Sequence, residues 1–150
     1  MNNQKHFFKL LQYENGLREK KKSLREDDPE LFRVLLDFLI RIEVNLHYLE
    51  KETYISLAQD FLTDQITADD FSYAFMGIYG GVNKKLSEMR KAESIELTNF
   101  LEPNRSELGD LLARIYGSCD DFSLDPEVAM SDEKELKNCA KSLLLKLQEE

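Results

Sequence analysis

Apolar residues in this chain recur at helical intervals, and nowhere do they alternate as strands require for more than four residues. The strongest run is Leu31, Leu35, Phe38, Leu39, Ile42, Leu46 and Leu49, in steps of three and four that line one side of a helix. Phe32, Leu36 and Ile40 add a second apolar face, the pattern of a helix packed on more than one side. Gly (6) and Pro (3) are too scarce for the many tight turns of a sandwich or barrel. At 150 residues the length suits one domain with a real core. The expected fold class is all-α: a single antiparallel helical bundle of about four to six helices over residues 1–150.

Start and stop signals divide the rest. A basic N-terminal helix or extension over 1–25 precedes Asp28-Pro29, where Asp28 can cap and Pro29 fits a first helical position that needs no N–H. The N-terminal helix is read over 4–24 with Gly16 inside it. A short helix comes next over Thr53 to Thr63, and Thr67 with Asp70 makes a capping box for the one after it. Gly77, Gly80 and Gly81 weaken that helix and suggest a kink or a close neighbour. Residues 92–102 read as a connector or short helix, a helix runs from about Asn104 to Gly117, 118–130 is a loop, and Ser131 caps a last helix.

The chemistry of catalysis is mostly missing. His6 and His47 have no companion His or Cys at ligand spacing, so neither metal nor cofactor is expected. Cys119 precedes two acids that disfavour its thiolate, and Cys139 reads as a core residue. Two such cysteines fit a reducing compartment as free thiols. The segment Gly77 to Lys85 lacks the order of a phosphate-binding loop. No apolar stretch approaches the ~20 residues of a membrane span, and the N-terminus lacks a signal-peptide core, so the cytoplasm, or an organelle matrix, is the expected location.

Charge carries more information. The chain holds 20 Lys and Arg against 29 Asp and Glu, a net of -9. Residues 1–25 are basic, with seven cations and two acids, so the remainder is strongly acidic. Such a body repels phosphates, which disfavours direct nucleic-acid binding, and attracts a basic partner. The plainer reading is solubility. Seven acids fall within 16 residues: Asp120, Asp121, Asp125, Glu127, Asp132, Glu133 and Glu135. Their loop also carries Phe122 and lacks the ligand order of a calcium-binding hand. Either it is a solvated loop with Phe122 turned inward, or it presents a negative surface to a cationic site.

The stretch Tyr54-Ile55-Ser56-Leu57-Ala58-Gln59-Asp60-Phe61-Leu62-Thr63-Asp64-Gln65-Ile66-Thr67-Ala68-Asp69-Asp70-Phe71-Ser72 is similar to the start of the colicin D immunity family. Asp120-Asp121-Phe122 in an acidic loop, then a helix ending Leu143-Leu144-Leu145-Lys146-Leu147, resembles its C-terminal half. The resemblance spans about 53–150, which it marks as an immunity-like helical bundle. It implies a non-enzymatic inhibitor that occupies the active site of a basic, tRNA-cleaving toxin domain by acidic substrate mimicry. By position, Asp120 matches an acid of the family that meets the toxin's cleft, while Ser123 stands where a further acid is expected. With the acidic cluster read as a negative surface, the expected partner-binding residues are Asp120, Asp121, Phe122, Asp125, Glu127, Asp132 and Glu133. The alternative is a helical adaptor or regulator that works through protein contacts or as a homodimer.

Overall fold

A computed structural model describes residues 3–91, 99–122, 127, 129 and 131–150. Among them the regular structure is helical throughout, with seven α-helices: α1 (Asn3–Glu19), α2 (Leu24–Asp27), α3 (Pro29–Leu49), α4 (Lys51–Leu62), α5 (Ala68–Lys91), α6 (Ser106–Asp121) and α7 (Glu133–Glu149). The all-α class is as expected. The count exceeds four to six because the N-terminal helix stops at Glu19 instead of reaching residue 24. Lys21 adopts φ 56, a left-handed conformation that interrupts helical hydrogen bonding, and Leu24 restarts the chain in α2.

The chain divides into two compact units: Met1–Leu46 with Lys85–Arg105, and His47–Lys84 with Ser106–Glu150. α3 and α5 each supply residues to both.

In the first unit α2 packs on α1. Phe7, Leu11, Leu35, Ile42 and Leu101 are at most 1% exposed. The Phe7 and Phe38 rings meet edge to face at 5.7 Å. Burying one such side chain contributes about 1.5–3 kcal/mol. Asp28 caps α3 as anticipated, its Oδ1 accepting from the Leu31 N–H at 3.2 Å. Two polar clamps complete the unit. Buried Glu14 accepts from Arg90, with Arg18 at 3.5 Å. Asn45 donates to the Phe100 and Pro103 carbonyls while its Oδ1 accepts from Arg105.

In the second unit α7 packs on both α4 and α6. Phe61 and Phe71 stack with centroids 4.6 Å apart, and Phe75, Tyr79 and Tyr116 extend the aromatic row. The capping box at the head of α5 forms in both directions: Asp70 N–H to Thr67 Oγ1 at 3.1 Å, and Thr67 N–H to Asp70 Oδ2 at 3.2 Å. α5 runs unbroken through its three glycines, and a Cβ at Gly77, Gly80 or Gly81 would meet nothing within 4 Å. They admit no close neighbour among the described residues. Lys137 ties α7 to the end of α4, donating to the Phe61 carbonyl and to Asp64.

Candidate functional site

The site lies in the second unit, where α6 ends and α7 begins. α6 continues one full turn beyond Gly117 to Asp121, because Leu108, Leu111, Leu112, Ile115 and Cys119 keep one face buried across that glycine. Asp120 and Asp121 are therefore helical, not loop residues, and both are exposed. The backbones of Phe122 and Ser131 then form a parallel bridge, so the residues flanking it, Asp121 and Asp132, come to the same corner. Phe122 is half-buried there.

Asp132, not Ser131, caps α7: its Oδ1 accepts from the Glu135 N–H at 2.9 Å. Ser131 is 5% exposed, and its Oγ has no hydrogen-bond partner among the described residues, so it caps nothing. Glu133 opens the helix and is exposed, as is Glu127. Asp125 lies outside the described residues. The structure thus gathers Asp120, Asp121, Phe122, Asp132 and Glu133 at one junction of two helix ends.

The two ends differ electrostatically. The N-terminus of α7 carries partial positive charge that favours Asp132 and Glu133. The C-terminus of α6 carries partial negative charge, and its last turn has no basic residue. Asp120 and Asp121 stand against that dipole and form no ion pair with a described residue. Acids at that end typically cost ~0.3–1 kcal/mol each.

Beside the corner lies an open groove of about 390 Å³, lined by Arg114 and Ser118 of α6 and by Asp132, Glu135, Asn138 and Cys139 among others. Ser118 Oγ donates to Glu135 at 3.2 Å. The signal for this groove was in the spacing, since 114 and 118, and 135, 138 and 142, share helix faces. It becomes readable once α6 is carried past Gly117.

Neither thiol is poised as a nucleophile. Burial pushes Cys119 up to about 12, with the neighbouring Cys139 adding and a hydrogen bond with Ser72 opposing. Burial likewise raises Cys139, with a hydrogen bond between it and Ser118 opposing. His47 is buried, its Nδ1 2.8 Å from the Tyr54 hydroxyl and its ring 4.6 Å from that of Tyr79. Among the described residues no group of three or more His, Cys, Asp or Glu is arranged to hold a metal ion, and no helix is long and apolar enough to cross a membrane.

No known protein family, curated protein or solved structure matches this chain.

Proposed function

We propose that this chain is a non-enzymatic inhibitor of the immunity type, which caps the cleft of a basic, tRNA-cleaving toxin domain with the α6–α7 corner. Asp120, Asp121, Asp132 and Glu133 stand in for substrate phosphates, Glu127 extends the same negative field, Asp125 joins the set on its place in the sequence alone, and Phe122 gives the patch an apolar contact. The helices of 53–150 form the antiparallel bundle that carries it, and the protein works in the cytoplasm, where such a toxin would act.

One observation carries this reading: Asp120 and Asp121 are exposed at the negative end of a helix, where folding alone would favour cations. Residues placed against a local stability rule concentrate at functional sites. A cationic partner turns that cost into binding energy and speeds encounter. The N-terminal resemblance in 54–72 points to the same class. A second reading, an adaptor that joins partners of opposite charge, draws on the exposed basic residues Lys20, Lys21, Lys22 and Arg25 of the first unit.

The test is the double variant Asp120→Asn, Asp121→Asn. Removing two negative charges from the end of α6 leaves thermal stability unchanged or slightly higher. Calorimetric affinity for a basic tRNA-cleaving bacteriocin domain falls by about 2–5 kcal/mol, and protection of tRNA is lost with it. Undiminished affinity in a well-folded variant removes this corner as the contact.

A further inference from the structure

α3 turns two large apolar side chains outward in the first unit. Leu36 is 42% and Ile40 48% exposed. The core of that unit takes the other side of the helix, through Leu35, Phe38, Leu39 and Ile42. The outward pair belongs to a longer series, Pro29, Arg33, Leu36, Ile40 and Glu43, spaced by four, three, four and three residues. That alternation keeps one seam of a helix facing a partner helix.

The charges on the seam select the partner. Reversed about a two-fold axis between Leu36 and Ile40, the series is complementary to itself. Leu36 meets Ile40, and Arg33 meets Glu43, each twice. An apolar centre is thereby closed at both ends by a cation–carboxylate pair. A parallel arrangement would set Arg33 on Arg33 and Glu43 on Glu43, so the pattern also excludes the wrong orientation. Arg33 is exposed and forms no ion pair with a described residue. Glu43 is half-buried and holds an interaction of its own, yet a carboxylate has lone pairs for a further donor. Asp37 would face its own copy across the axis, and Arg41, 3.2 Å away on the same helix, neutralises it.

We propose that a second copy of this chain docks on this face, α3 against α3 and antiparallel, as an isologous dimer. The seam from Arg33 to Glu43 covers ten residues of rise, roughly 15 Å. A contact this short belongs with transient interfaces below about 1,200 Å². The dimer is therefore weak and concentration-dependent, and its surface is distinct from the acidic corner of the second unit.

Sedimentation equilibrium of the full chain over about two decades of concentration reads it directly. Average mass rises reversibly toward that of two chains. Ile40→Glu keeps its helical circular dichroism, because the residue is exposed, and raises the dimer dissociation constant at least about tenfold. Arg33→Glu weakens the dimer through like charge against Glu43. Register is tested by mixing chains carrying Leu36→Cys with chains carrying Ile40→Cys under mild oxidation. The mixed disulfide predominates over either homodisulfide, with buried Cys119 and Cys139 staying out. A chain that stays monomeric throughout, an unaltered dimer in Ile40→Glu, or a preference for homodisulfides overturns the proposal.

Discussion

Cys119 is 2% exposed and Cys139 9%, and burial is the first cause of the raised affinity of each thiol for its proton. For Cys119 the direction sets a pH dependence. Below the ordinary thiol value of 9.0, folded and unfolded chains both keep the proton, and stability does not respond. Above it the unfolded chain ionises while the folded one holds its proton up to about 12, so the folded state binds more protons and stability falls as pH rises through that window. Urea unfolding at a series of pH values shows this slope, and Cys119→Ala reduces it. Alkylation at neutral pH is correspondingly slow in the native chain and rapid once urea exposes both thiols. The inertness of Cys119 was legible in the sequence, but for a lesser reason: adjacent acids suggested charge, whereas its place at the end of the apolar series of α6 supplies burial. Glu14 and Asn45 were not legible at all. One of two acids in a basic segment and a single amide within an apolar run acquire meaning only when Arg90, or the Phe100 and Pro103 carbonyls, arrive from far along the chain.

At the scale of elements, the capping signals of α3 and α5 read true because they are local: an Asp before Pro, and a Thr three residues before an Asp, find their N–H partners within one turn. Glycine proved ambiguous. Gly117 reads in the sequence as a helix end, yet the apolar steps from Ile115 to Cys119 carry α6 across it. That one turn moves Asp120 and Asp121 from a loop to a helix terminus and changes their electrostatics, so the candidate residues were legible but their setting was not. The glycines of α5 lie in open space as well, and Gly80 and Gly81 are exposed. With no contact needing a bare backbone, their effect is the entropy lost on fixing it. Gly80→Ala and Gly81→Ala each stabilise the chain by about 0.4–1 kcal/mol, measured as a shift in the urea midpoint at constant slope. A loss of stability in either would show that the backbone there is approached more closely than the structure allows.

At the scale of the whole molecule, the useful quantity is the separation of charge along the chain. Seven of the 20 cations fall in residues 1–25, and acids dominate the rest of the chain. The proposed inhibitor would therefore meet a basic toxin domain through a field that reaches beyond the four carboxylates of the corner. Exposed charges more than a Debye length apart, about 10 Å at 0.1 M salt, are largely screened. Association is thus fast at low salt, well above the roughly 10⁵–10⁶ M⁻¹s⁻¹ of unsteered protein pairs, and drops by about tenfold or more as salt rises to several tenths molar. Dissociation changes much less, because contacts already formed at the corner exclude the screening ions. The double variant at Asp120 and Asp121 separates the contributions. It speeds dissociation at every salt concentration, while the remaining acidic surface preserves most of the salt slope of association. Stopped-flow mixing with a basic tRNA-cleaving domain measures both rates. An association rate indifferent to salt would mean that the excess of acid serves solubility and that recognition, where it occurs, rests on shape.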